Sequence, residues 1–153
     1  MTDPRRAIRA PKQLKEMNAG LLEQRDRGEL PFTLPVLTVP GRRSGAPRHT
    51  PLTVYALDGR RYVVGGFPGA DWIRNVRAAG GHATLDPGTG AEPEAVVLTE
   101  VGDDEARTVL AAWPEVTPQG AEIMIENEVA RDASPEAFAE LAGVCPVFRI
   151  DPA

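Results

Sequence analysis

Four side chains able to carry positive charge crowd one short stretch, PGRRSGAPRHTP (residues 40–51): Arg42, Arg43, Arg48 and His49, set around Ser44 and Gly45. Guanidinium forks and a hydroxyl offer phosphates and carboxylates charge-assisted hydrogen bonds of defined geometry. Gly41, Gly45 and Pro47 bend the backbone, which can turn successive N–H groups to one side as in an anion-binding nest. The chemistry on offer is therefore anion binding. A nucleotide P-loop is excluded, because G-x-x-x-x-G-K-[ST] is absent. On charge alone, a solvated basic hairpin tip is the simpler reading.

A second stretch, YVVGGFPGADWIRN (62–75), has the strand, glycines and helix of a dinucleotide-binding turn, with Asp86 further on. The fingerprint fails where the chemistry needs it. Val64 stands where the first glycine should be, and Pro68 removes a backbone donor from the would-be pyrophosphate cradle. Gly65 and Gly66 are better read as a bare strip of strand that a planar group can approach. No Ser/His/Asp set and no activated cysteine can be assembled. Cys145, before a proline and a terminal strand, reads as a small buried hydrophobe, and Trp113 and Phe138 as core. One cysteine and two distant histidines argue against a metal site.

The formal charge of −5 conceals a partition. Residues 41–80 hold seven arginines against Asp58 and Asp71, whereas residues 86–136 hold thirteen acids against Arg107 and Arg131. A local positive field concentrates anions, but a duplex-binding protein needs a broad basic face, so nucleic acid is disfavoured as a partner. The 153 residues suit a single unit: an N-terminal amphipathic helix within residues 1–30, and the main domain over 31–153. No apolar run is long enough for a membrane span, and residues 1–20 lack the apolar core of a secretory signal. A cytoplasmic protein is expected. Arg5, Arg6, Arg9, Lys12 and Lys15 would also let the first helix lie on an anionic membrane surface, peripheral to its inner face.

The elements that must position these residues follow from periodicity and turn residues. Leu14, Met17, Leu21 and Leu22 predict a helix over 12–27 with Gly28 as its stop. Runs at 34–39, 50–57 and 61–66 read as strands, the last two joined as a hairpin by Asp58-Gly59. A helix over 70–81, N-capped by Asp71, precedes a second hairpin, 83–86 with 94–101. Acidic helices are expected from Asp103 to Trp113, halted by Pro114, then after Thr117-Pro118, and from Ser134-Pro135 to Leu141. PVFRI (146–150) makes a sixth strand. About six mostly antiparallel strands with flanking helices predict an α+β fold built on a small barrel.

PVLTVPGRRSGAPRHTPL, DGRRYVVGG, DWIRNVRAAGGHATL and SPEAFAELAGVCPVFRI, in that order, resemble the deazaflavin-dependent nitroreductase family of actinobacteria, split β-barrel oxidoreductases that use coenzyme F-420. The resemblance runs from about residue 32 to 151. It implies that Arg42, Arg43, Ser44 and Arg48 grip the phosphate and oligoglutamate tail of the cofactor. It implies that the ring lies along Thr50, Pro51, Leu52, Gly65, Gly66 and Phe67, under a helix carrying Trp72, Asn75, Val76 and Arg77. The implied reaction is hydride transfer from reduced deazaflavin to an apolar acceptor: a quinone, an enone or a nitroaromatic. The alternatives are a non-catalytic deazaflavin or lipid binder, and a split-barrel enzyme using FMN. The chain departs from the best-known branch in its short Gly-Gly-Phe-Pro-Gly loop before Trp72, which lacks a lysine, and in having only Tyr55 and Tyr62. The resemblance assigns no catalytic residue, no proton donor and no oligomeric state.

Overall fold

A computed structural model describes residues 3–153. Seven strands, β1 (Val36–Pro40), β2 (Pro47–Pro51), β3 (Tyr55–Leu57), β4 (Arg60–Val64), β5 (His82–Asp86), β6 (Glu94–Glu100) and β7 (Val147–Pro152), form one sheet in the order β2-β1-β5-β6-β7-β4-β3. Every pairing is antiparallel. Five helices accompany it: α1 (Lys12–Asp26), α2 (Asp71–Ala78), α3 (Asp103–Val116), α4 (Pro118–Glu126) and α5 (Pro135–Ala139).

β2 and β3 occupy opposite edges of this order although only residues 52–54 separate them. In a flat sheet, six interstrand steps of about 4.8 Å would hold the edges roughly 29 Å apart. Three linking residues span at most about 14 Å. The sheet must therefore curl until its edges nearly meet, giving the split barrel that the sequence led us to expect. The strand expected over 50–57 divides here into the end of β2 and β3, which is why seven strands replace six. Leu52 donates its N–H to the Pro35 carbonyl at 3.1 Å as the chain leaves β2.

Side chains alternate between two cores with the two-residue period of a strand. Tyr62 and Val64 of β4 join Leu110, Trp113, Met124 and Phe138 of the helical layer. Val63 between them joins Leu37, Ile73, Val76, Val96 and Phe148 inside the curl of the sheet. Asp58 and Gly59 take positive φ of 51° and 76° and close the β3–β4 hairpin as expected.

Two helix boundaries differ from expectation. α3 runs through Pro114 to Val116. The proline forfeits the N–H bond to the Leu110 carbonyl, and the burial of Leu110 and Trp113 outweighs that loss. At α2 the cap is Ala70, without a side-chain cap bond, and Asp71 is the first helical residue. Its carboxylate is engaged elsewhere.

α1 ends as predicted, with Gly28 at φ 71°. None of its residues is fully buried, and Met17 is 49% exposed. Arg25 ties the helix to the barrel through Asp86 at 2.7 Å and the Leu34 carbonyl at 2.9 Å. Among the described residues no helix is long and apolar enough to cross a membrane.

Candidate cofactor site

The basic stretch forms the tip of the β1–β2 hairpin. Gly41 donates to the Ala46 carbonyl at 2.8 Å and Gly45 to the Gly41 carbonyl at 2.9 Å, with Gly45 at φ 76°. The Ser44 Oγ accepts the Ala46 N–H at 3.2 Å, which leaves its O–H free to donate. Thr38 Oγ1 lies 2.8 Å from His49 Nδ1 and orients the imidazole across the strand pair.

The tip faces α2 across a groove of two connected bays. The larger, about 590 Å³, is lined from the hairpin by Arg42, Arg43, Ser44, Arg48 and His49, and from α2 by Asp71, Trp72, Arg74 and Asn75. The smaller, about 270 Å³, runs beneath α1 between Ala10, Ala19, Leu22, Thr50, Pro51 and Trp72. Arg9, Leu22, His49, Thr50, Asp71 and Trp72 border both. One bay is dominated by arginine, and the other is largely apolar with Lys15 at its rim.

Asp71 is the single carboxylate of the arginine bay. It stands 2.9 Å from Arg9 and 3.4 Å from Arg42. Partial burial works to raise its pKa, but the Arg9 and Arg42 guanidinium groups outweigh that and hold it below the ordinary carboxylate value. Among the described residues Asn75, 4% exposed, is the one polar residue in the buried core, and its Oδ1 accepts from the Arg42 N–H at 3.1 Å and from Nη1 at 2.9 Å. It holds the hairpin tip against α2.

The expected site residues divide accordingly. Arg42, Arg43, Ser44, Arg48, Thr50, Trp72 and Asn75 line the arginine bay, and Pro51 the apolar one. Leu52 is half-buried and packs on the barrel core beside Trp72, whose ring meets Phe148 at 6.0 Å. Gly65 and Gly66 are not bare strips. A Cβ on Gly65 would lie 2.6 Å from Ile73 Cδ1 and 2.8 Å from Pro146 Cγ, and one on Gly66 would lie 3.0 Å from Met124 Sδ. The protein's own side chains fill that space. Phe67 wedges between the two cores, and Val76 is buried in the barrel. Arg77 borders a different pocket, paired with Glu100 at 3.0 Å. Neither tyrosine reaches the groove: Tyr55 meets Trp113 edge-on, and Tyr62 donates to Glu105 at 2.6 Å. Burial pushes the Cys145 thiol up to about 12, so it is no nucleophile.

Arg9, Leu22, Asp71 and Arg74 border the groove, although none is among the expected site residues. The last two had a signal: positions 71, 74 and 75 share one face of a helix, so Asn75 brings them with it.

The sequence profile of the F420H(2)-dependent quinone reductase family matches residues 17–119, about two thirds of the chain. The chain belongs to this family. As a member it is an oxidoreductase of the F420-dependent kind, and the FMN alternative gains no support. The match takes in most of α1, the hairpin tip, α2 and all of α3, hence both walls of the groove.

Among solved structures, a domain-swapped dimer is 22% identical to this chain, with a TM-score of 0.54 over 91% of this chain and 97% of that one. An F420-H2-dependent reductase is 21% identical, with a TM-score of 0.42 over 77% and 93%. A conserved hypothetical protein of Mycobacterium tuberculosis is 15% identical, with a TM-score of 0.48 over 99% and 86%. The first shares the fold, and at 22% identity the likeness extends no further. No curated protein matches the chain significantly.

Proposed function

We propose that this chain uses reduced coenzyme F-420 to reduce an apolar acceptor of the quinone, enone or nitroaromatic class. The observation that carries the reading is the groove, in which an arginine-lined bay opens into an apolar one. A cofactor with a polyanionic tail and a planar ring needs those two environments side by side. Guanidinium groups on the hairpin fit phosphate and carboxylate oxygens bidentately, and the apolar bay fits a ring edge.

Bound there, the reduced deazaflavin would supply the hydride. The chain's own part is to bind, orient and exclude water. Arg43, Arg48 and the Ser44 O–H hold anionic oxygens, while Asn75 keeps Arg42 and the tip in place. Trp72, Pro51 and Leu22 border the drier bay and would exclude water from a ring and an apolar acceptor held there. Among the described residues no buried acid lines the groove, and in this reading solvent supplies the product's proton.

Fluorescence titration with oxidised deazaflavin, and separately with riboflavin phosphate, tests the binding half. Saturable binding of the deazaflavin alone, weakened by salt, is expected. Equal binding of both, or of neither, overturns the reading. The catalytic half is tested by oxidation of the reduced cofactor on adding a quinone or nitroaromatic. Binding with no acceptor-dependent oxidation would make the protein a carrier.

A further inference from the structure

Before α1 the chain runs as a strap. Asp3 caps a short 3-10 turn, Pro4–Ala7, and the half-buried Ile8 then packs against the helical core. Gly69, in the loop ahead of α2, donates its N–H to the Ile8 carbonyl at 2.7 Å. A Cβ on Gly69 would lie 2.5 Å from the Ala7 carbonyl oxygen and 2.8 Å from its carbon. Both atoms are backbone, so neither can swing aside as a side chain could. Only glycine lets the two segments touch at this buried point.

The contact falls where the two walls of the apolar bay begin. Ala70 and Trp72 follow Gly69 into one wall, and Arg9 and Ala10 follow Ile8 into the other, which α1 continues through Ala19 and Leu22. No residue of α1 is fully buried, so burial holds the helix weakly and its ends must fix its place. At the C-terminal end Arg25 does this through Asp86 and the Leu34 carbonyl. At the other end stand the Gly69–Ile8 bond and the Arg9–Asp71 pair, and the pair is half exposed and worth little alone. Residues 3–16 precede the stretch that the family profile matches, so membership gives them no role.

Resting on the functional reading above for what fills the bay, we infer that Gly69 is a positioning residue. By seating Ile8 it fixes where α1 stands, and so the width of the apolar bay and its affinity for an apolar acceptor. It lines neither bay and takes no part in the chemistry. The last glycine of the Gly-Gly-Phe-Pro-Gly loop thereby gains a use that its neighbours Gly65 and Gly66 do not share.

The test compares wild type, Gly69→Ala, Ile8→Ala and, as a control for lost stability alone, Gly120→Ala, whose added methyl group would press on Thr117 at the start of α4. Each is probed by acrylamide quenching of tryptophan, by titration with the naphthoquinone menadione, and by titration with oxidised deazaflavin. Of the two tryptophans Trp113 is buried, so quenching reports Trp72 at the bay. Gly69→Ala and Ile8→Ala should both raise the quenching and weaken menadione binding about tenfold, which corresponds to withdrawing roughly 55 Å² of apolar contact. Deazaflavin should lose less than menadione, since Arg43, Arg48 and Ser44 stand away from the strap. Gly120→Ala should match wild type in all three. Unchanged quenching in both Gly69→Ala and Ile8→Ala, or an equal menadione loss in Gly120→Ala, overturns the positioning role. Ile8→Ala decides alone if Gly69→Ala does not fold. If wild type binds neither ligand, the functional reading fails and quenching still decides the role of Gly69. If wild type binds both and the variants match it, the positioning role fails and the functional reading stands.

Discussion

One oxygen of Asn75 holds Arg42 twice, at the backbone N–H (3.1 Å) and at the guanidinium (2.9 Å). The contact joins the hairpin tip to α2 across the floor of the groove, from a side chain that is almost wholly buried. Asn75 therefore acts through Arg42, as a positioning residue.

Replacing Asn75 with Leu removes that acceptor from a buried site. A loss of about 1–3 kcal/mol is expected. For a chain of this size that lowers the thermal midpoint by about 2–4 °C per kcal/mol. Asn75→Asp, which keeps an acceptor oxygen, should recover most of the stability. Thermal unfolding of the two variants checks this, and equal midpoints would leave the bond without a structural role.

Arg42 and Arg48 should respond differently to truncation. Arg42 is tied to Asn75 and Asp71, whereas Arg48 has no ion pair among the described residues. Arg48→Ala is expected to weaken deazaflavin binding by about 1–3 kcal/mol with the thermal midpoint unchanged. Arg42→Ala should lower both. Paired titration and melting experiments separate a ligand contact from a scaffold contact.

Gly65→Ala tests whether that glycine serves packing. Its Cβ would intrude on Ile73 and Pro146 at 2.6 and 2.8 Å, and both are core residues with little room to yield. Overpacking of this kind costs about 1–3 kcal/mol. The urea midpoint should fall by the corresponding amount.

The Cys145 thiol gives a pH prediction. Burial raises its pKa in the folded state from 9.0 to about 12. Above pH 9 the unfolded chain releases a proton that the folded one keeps, so stability is full below about 9 and falls as pH rises toward 12. By pH 10 the loss is on the order of 1 kcal/mol. Urea midpoints from pH 8 to 10 should decline in wild type and stay flatter in Cys145→Ala. Thiol reagents should label Cys145 only after unfolding.

Most of the fold was legible because its signals are local. Asp58-Gly59 specifies a turn, Gly28 a helix end, and alternation the faces of β4. What escaped depends on distant partners. Nothing in TPLTVYAL says that its two ends pair with opposite edges of one sheet, because β1 and β4 make that decision. Asp71 looked like a cap because local chemistry favours it there, but Arg9, 62 positions away, and Arg42 claim its carboxylate. That Arg42, Arg43 and Arg48 share one bay was legible as charge clustered in sequence. The glycine pair was misread because the atoms that fill its space, Pro146 and Met124, lie far along the chain.

β7 pairs with β6 on one side and β4 on the other, and it is the sole strand that joins the β3–β4 ribbon to the rest of the sheet. Val147 of β7 and its partner Val64 of β4 stand over eighty positions apart. Such separation makes closure of the barrel a slow, long-range event in folding kinetics. Until it happens, β4 and β6 each present an unpaired edge, the kind of surface that another chain can capture. The window for misassembly is therefore set by how fast residues 147–152 find their place.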